Sequence, residues 1–319
     1  MSKAGIRPDV AAYLERLKAN PRPPFTAEVL AMIRTLPPEM MTSMDLPVGT
    51  LARVEDYAFE GPGGTIAARL FDARTNRGPS PLVLFFHGGG FVVGNIATHA
   101  GMAAEISRRL GLPLLSIEYR LAPEHPWPAA PDDAEAAARW AAGKGAATLG
   151  LDITGLVLAG DSAGGNLAIV TALALRDNPA ALPAVMQLLL YSITDRSFPY
   201  PSASLFGQGY GLDSADMALF NSHYAADHAH WRCSPLLADL AGLPPALVAT
   251  AGLDPLRDEG RAYAAKLVTA GVQALYLEVP GTIHGFASYR TVIPSAAADL
   301  AQLLDLAQAF LTGIKGAEA

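Results

Sequence analysis

The stretch LVLAGDSAGGNLA, residues 156–168, decides the fold class of this chain. It begins with a short apolar run typical of a buried β-strand and continues into a segment typical of a helix. The five residues GDSAG at 160–164 stand between the two and fit the pattern G-x-S-x-G. In this context the serine occupies a tight turn, and glycines on both sides let the strand and the helix approach each other. The pattern predicts that Ser162 is a nucleophile above a sheet; the alternative is a serine that only caps the helix.

Strand and helix patterns alternate on both sides of this turn. Helical patterns lie between most of the apolar strand patterns, which occur at 82–86, 112–119, 156–160, 185–191, 246–252 and 274–279. An alternating apolar and polar hairpin around GPGG, within 53–71, adds two antiparallel strands. Apolar strands that alternate with helices predict an α/β fold, in which a mostly parallel, eight-stranded sheet is covered by helices on both faces.

Two segments fall outside this alternation. Residues 1–45 have the periodicity of two amphipathic helices, and the connection between the strands at 185–191 and 246–252 is far longer than a crossover needs. We therefore predict a helical cap made of 1–45 and of an insertion at 195–232, over a catalytic core. That core comprises residues 46–194 and 233–319. The aromatic and aliphatic side chains of the insertion suggest the lining of an apolar pocket, although they could also serve only to pack the cap onto the core.

A glycine-rich loop, HGGGF at 87–91, directly follows the strand at 82–86. Three consecutive glycines cost conformational entropy, so a bare turn would rarely use them. They can instead expose backbone N–H groups that stabilise the oxyanion of a tetrahedral intermediate. The candidate donors are Gly88, Gly89 and Gly90, of which Gly89 and Gly90 are preferred, and the residue after the nucleophile, Ala163.

A base and an acid follow the last two predicted strands. His284 comes just after the final strand, at the edge where α/β sheets place ligands, and from there an imidazole can reach the serine. Asp254 follows the strand before it, so its carboxylate could orient that imidazole; its alternative role is an ordinary helix cap. Asp258 and Glu259 are competing acids, but they lie inside a predicted helix and should point elsewhere.

Five blocks of the sequence match, in order, the motifs of one enzyme family: HGGGFVVG (87–94), YRLAPEHPWPAA (119–130), GDSAGGNLA (160–168), DPLRDEG (254–260) and HGF (284–286). They span about two thirds of the chain and resemble the bacterial hormone-sensitive-lipase-like esterases, with GDSAG similar to one branch. The resemblance implies an α/β-hydrolase core and a helical cap. It also implies a triad of Ser162, Asp254 and His284, and an oxyanion hole from the HGGG glycines and Ala163. Many members are dimers, which raises the expectation of a homodimer.

Together these patterns predict a serine carboxylic-ester hydrolase that acts on short-chain acyl esters through an acyl-enzyme intermediate, without cofactor or metal. Two alternatives stay open. One is a peptidase or amidase on the same fold, and the other is a binding protein that has kept the fold and lost catalysis.

Composition and charge limit the possible binding partners and the expected cellular location of the protein. A net charge of −7 without a Lys/Arg cluster argues against a nucleic-acid partner. The single cysteine, Cys233, excludes an internal disulfide framework and a thiolate zinc site. The chain shows neither a secretory signal nor an apolar run that could cross a bilayer, so we expect a soluble cytoplasmic protein with a small-molecule ester as its substrate.

Overall fold

An eight-stranded sheet organises the part of the chain described by this computed structural model, residues 5–36, 40 and 42–317. The strands are β1 Arg53–Gly61, β2 Gly64–Asp72, β3 Ser80–Phe86, β4 Leu114–Glu118, β5 Ile153–Asp161, β6 Ala184–Leu190, β7 Ala246–Leu253 and β8 Ala274–Ile283. Their order across the sheet is β1-β2-β4-β3-β5-β6-β7-β8. Strand β2 is antiparallel to both of its neighbours, and all pairs from β4 to β8 are parallel. The predicted, mostly parallel sheet is confirmed.

Helices connect most of these strands. They are α1 Pro8–Ala19, α2 Ala27–Arg34, α3 Ala100–Leu110, α4 Ala129–Trp140, α5 Ala146–Leu149, α6 Ala163–Asp177, α7 Pro201–Phe206, α8 Ser214–Tyr224, α9 Arg257–Thr269 and α10 Ser295–Ala317. A π-helical turn at Ala141–Gly145 precedes α5, and 3-10 turns lie at Pro235–Leu237 and Phe286–Ser288. Across the described ranges, none of the helices is both long and apolar enough to cross a bilayer.

Apolar side chains fill both faces of the sheet. Helices α4, α6 and α9 contribute to the core layer on one face, and α1, α3 and α10 to the layer on the other. Strand β3 shows why the strand patterns are continuous rather than alternating, since every side chain from Leu82 to Phe86 is buried. With both faces covered, the carboxyl ends of the parallel strands are the place where a ligand can approach the sheet.

The chain around α2 meets the long connection between β6 and β7. The rings of Phe25 and Phe220 pack with their centroids 4.9 Å apart. The guanidinium of Arg22 donates a hydrogen bond to the carbonyl oxygen of Gly211 at 2.7 Å. Helix α1 differs, because its buried side chains belong to the same core layer as α3 and α10. The two regions assigned to a cap are therefore in contact through the α2 part of the N-terminal segment.

The predicted cap boundaries, 1–45 and 195–232, stay a prediction. Within the first range, residues 1–4, 37–39 and 41 lie outside the described residues. Within the second lie α7 and α8, as expected for a helical insertion.

Candidate active site

The turn between β5 and α6 holds Ser162 in a strained backbone conformation. Its φ of 52° and ψ of −117° are rare for a residue with a side chain, and such strain is typical of functional sites. A Cβ atom added to Gly160 would lie 2.3 Å from the backbone of Gly164, and one on Gly164 would lie 1.9 Å from the carbonyl oxygen of Phe86. The motif glycines are therefore required by the close approach of β5, α6 and β3. Helix α6 begins at Ala163, directly after the serine.

Ser162, Asp254 and His284 stand at the carboxyl ends of β5, β7 and β8. The serine Oγ lies 2.9 Å from His284 Nε2, and His284 Nδ1 lies 2.8 Å from Asp254 Oδ2. In the neutral tautomer with its proton on Nδ1, the imidazole donates to the carboxylate and accepts the serine hydroxyl at Nε2. The structure thus brings the three predicted side chains together within hydrogen-bond distance, where a general base must stand.

Asp254 is fully buried, and both of its carboxylate oxygens are used. Its Oδ1 accepts a hydrogen bond from the backbone N–H of Leu256 at 2.8 Å, which leaves Oδ2 for His284. Helix α9 begins only at Arg257, so Asp254 is not the ordinary helix cap of the alternative interpretation. The ring of Tyr191 packs edge-on against the imidazole, with centroids 4.9 Å apart. The imidazole is therefore oriented both by the carboxylate and by packing.

The two competing acids face other groups. Glu259 is buried, and its Oε1 accepts a hydrogen bond from the backbone N–H of Thr194 at 2.8 Å. Burial raises the pKa of this carboxyl to about 8. Asp258 accepts from the backbone N–H of Ser202 at 2.9 Å. Among the residues that the structure describes, Asp254 is the carboxylate that hydrogen-bonds His284.

The buried Glu259 should make stability depend on pH. Its pKa is raised from 4.5 to about 8 in the folded chain, so between those values the unfolded chain releases a proton that the folded chain keeps. The free energy of unfolding should therefore fall as pH rises, by up to about 1.4 kcal/mol per pH unit from this group. Glu259→Gln keeps an acceptor for Thr194 and removes the ionisable proton.

Urea unfolding from about pH 5 to pH 8 measures this effect, because Glu259→Gln should gain stability relative to the unmodified chain as pH rises. Unfolding curves whose difference is the same at every pH would contradict the prediction.

The three amides of the glycine loop differ in their hydrogen bonds. The N–H of Gly88 donates to Asp161 Oδ1 at 2.7 Å, which favours the preferred donors Gly89 and Gly90 over Gly88. Within the described residues, the N–H groups of Gly89 and Gly90 make no hydrogen bond, and both glycines line the cavity that holds the serine. Ala163 opens α6, where a backbone N–H has no partner inside the helix.

Buried polar groups support this loop from beneath. His87 Nδ1 lies 2.8 Å from the carbonyl oxygen of Gly88, and the hydroxyl of Tyr119 donates to the carbonyl oxygen of His87 at 2.6 Å. Burial lowers the pKa of His87 to about 3, so this histidine is neutral. His99 Nε2 lies 3.5 Å from Asp161 Oδ1; burial lowers the pKa of His99, but Asp161, Asn95 and Asp45 together raise it above its ordinary value. The loop is thus held in place by hydrogen bonds with buried polar side chains.

A cavity of about 420 Å³ opens above the serine, a volume that suits a small organic ligand. The N-terminal segment contributes Phe25 and Ile33 to its wall, and the insertion contributes Leu212, Met217 and Phe220. Two arginines of the wall, Arg22 and Arg196, were not singled out by the sequence. In the sequence, the one indication of a role for these arginines is that both belong to segments assigned to the cap.

Comparisons with known proteins extend over nearly the whole chain. A family profile described as alpha/beta hydrolase fold matches residues 83–288. Esterase LipI of Mycobacterium tuberculosis is 40% identical over 257 residues, which cover 78% of this chain and 80% of LipI. Carboxylesterase NlhH of the same organism is 37% identical over 306 residues, 91% of this chain and 93% of NlhH. The structure of a hyperthermophilic esterase from the archaeon Pyrobaculum calidifontis superposes with a TM-score of 0.87 at 34% identity, covering 96% of this chain and 99% of that one.

Proposed function

The chain belongs to the alpha/beta hydrolase fold family and is a carboxylic ester hydrolase, and from this premise we propose that it cleaves short-chain acyl esters through Ser162, His284 and Asp254. The observation that carries the proposal is the hydrogen-bonded series of these three side chains, with distances of 2.9 and 2.8 Å, of which Ser162 and His284 line the cavity. Each member follows a different strand, so the rigid sheet sets their mutual geometry.

The chemistry follows from this arrangement. His284 takes the proton of Ser162 as the oxygen attacks the ester carbonyl, and Asp254 stabilises the imidazolium that forms. The oxyanion accepts hydrogen bonds from the backbone amides of Gly89, Gly90 and Ala163. The imidazolium then protonates the leaving alcohol, and water hydrolyses the acyl-enzyme by the same steps. Matched ester and amide substrates separate this activity from its rival, an amidase or peptidase, and we expect the ester to be preferred.

The wall of the cavity should limit the length of the acyl group. Each added methylene contributes about 0.8 kcal/mol to binding while it is buried, and nothing once the pocket is full. We therefore expect the highest activity at an acyl length of about four to six carbons. Met217→Ala removes part of the wall and should move the optimum to longer chains. The measurement is kcat/KM for a series of 4-nitrophenyl esters of increasing acyl length.

Phe198→Ala is the matched control for this series. Phe198 belongs to the same insertion but is 59% exposed and lies outside the cavity wall, so its profile should not change. An unmodified chain that prefers twelve or more carbons, or a Met217→Ala profile equal to the original one, would refute the proposed limit. Deleting residues 1–45 is a poorer test, since it also removes Asp45, which pairs with the buried Arg290 at 2.6 Å.

A further inference from the structure

Arg196 stands where the connection after β6 enters the cavity wall, and it lines the same cavity as Ser162. Its backbone is held in place, because its N–H donates to Ser234 Oγ at 2.9 Å. The two residues before it are fixed as well, since their N–H groups donate to the carboxyl of Glu259 at 2.8 and 3.4 Å. The guanidinium thus extends from a well-anchored segment at the edge of the proposed substrate site.

Among the described residues, no carboxylate forms an ion pair with this guanidinium. Among the described residues it makes neither a hydrogen bond nor an ion pair. The acidic residues of the cavity wall are each engaged elsewhere: Asp45 with Arg290, Asp161 with the Gly88 amide, and Asp216 with Arg22. Within the described part of the wall, Arg196 is therefore a cation without a carboxylate at ion-pair distance.

Glu259 is the buried carboxyl that interacts electrostatically with Arg196. Burial raises the pKa of Glu259 to about 8 even though Arg196 lowers it, so the neutral carboxyl is the main form at pH 7 and offsets little of the arginine charge. Its oxygen is moreover occupied by the two backbone N–H groups of the preceding segment.

We propose that Arg196 binds a carboxylate carried by the substrate, so that the site favours anionic esters over neutral ones. A guanidinium presents planar, paired N–H donors that match a carboxylate, and such charge-assisted hydrogen bonds are stronger where water is partly excluded. The carboxylate can belong to the acyl part, as in a monoester of a dicarboxylic acid, or to the alcohol part, as in an ester of a hydroxy acid. This inference rests on the proposed ester hydrolysis at Ser162.

The test compares kcat/KM for two matched pairs of esters. Monoethyl glutarate against ethyl hexanoate places the carboxylate on the acyl side, and carboxymethyl butyrate against propyl butyrate places it on the alcohol side. The ratio of the anionic to the neutral ester is measured for the unmodified chain, Arg196→Gln, Arg196→Met and Arg196→Lys. Arg69→Gln is the matched control, because Arg69 forms an exposed ion pair with Asp56 on the hairpin and lies outside the cavity wall.

We expect Arg196→Gln and Arg196→Met to lower the ratio by about tenfold to a hundredfold in one of the two pairs, mainly through KM. Arg196→Lys should retain part of the preference, and Arg69→Gln all of it. The pair that responds identifies the side of the ester that carries the charge. Ratios that are the same with and without the arginine charge in both pairs would overturn the inference. Failure of the unmodified chain to hydrolyse even the neutral esters would instead overturn the proposed function.

Discussion

Ser162→Ala should lower kcat for ester hydrolysis by about 10⁴- to 10⁶-fold, because the three side chains act as a unit and the reaction loses its nucleophile. The substitution removes only the Oγ atom, whose hydrogen-bond partner is His284 Nε2 at 2.9 Å. The fold should therefore be retained, as measured by circular dichroism and urea unfolding. An alkyl phosphonate ester should label the unmodified chain covalently and leave the Ser162→Ala variant unlabelled.

Ser222→Ala serves as the control for this substitution. Ser222 lies on α8, where its hydroxyl donates to the carbonyl oxygen of Leu219 at 2.8 Å, away from the cavity wall. The Ser222→Ala variant should keep both the esterase activity and the covalent labelling. Residual activity of Ser162→Ala above about a tenth of the original would exclude it as the nucleophile. An unmodified chain that folds, but neither hydrolyses esters nor reacts with the phosphonate, would support a binding protein instead.

The second large effect is expected for Asp254→Asn, which should lower kcat by about 10⁴-fold. In the folded chain Asp254 Oδ1 accepts from the N–H of Leu256, and Oδ2 faces His284 Nδ1. An asparagine that keeps the first hydrogen bond turns its NH₂ group toward the imidazole. That group cannot accept a proton from Nδ1, so the neutral imidazole is driven to the tautomer with its proton on Nε2, which cannot accept the serine proton.

Glu259→Gln is the matched comparison for Asp254→Asn. Both changes replace a buried carboxyl by an amide, but Glu259 hydrogen-bonds the backbone of the chain after β6 rather than the imidazole. Its effect on kcat should be far smaller than that of Asp254→Asn. If Glu259→Gln abolished activity and Asp254→Asn did not, the assignment of the acid would be wrong.

Local patterns in the sequence predicted most of the fold and the family. Strand and helix periodicities depend on neighbouring residues, so the eight strands could be placed, and the resemblance drawn from five motifs is confirmed by the match over 83–288. The ends of the strands are predicted less accurately than their existence. Strand β8 extends to Ile283, beyond the predicted end at 279, although Pro280 lies within it. An edge strand tolerates proline, because one side of its backbone needs no hydrogen-bond donor.

The sequence by itself determined which residue types stand at the ends of which strands. Ser162, Asp254 and His284 were predictable because each follows an apolar strand in a fixed chain order. Only the tertiary structure decided which groups meet across the sheet. The pairing of β3 with β5 brings Gly88 to Asp161, 73 residues away, and the hydrogen bond between them favours Gly89 and Gly90 as the donors of the proposed oxyanion hole.

The tertiary structure also decided which side chains form the cavity wall. Nothing in the local pattern around Arg196 distinguishes a guanidinium that faces solvent from one that faces a substrate, because its neighbours come from segments distant in the chain. The side chain joins the cavity only because the connection after β6 folds back over the carboxyl ends of the sheet, against the chain around α2. Long-range packing therefore decided the proposed specificity of the site, whereas short-range periodicity and steric demands on glycine determined its fold and its reacting residues.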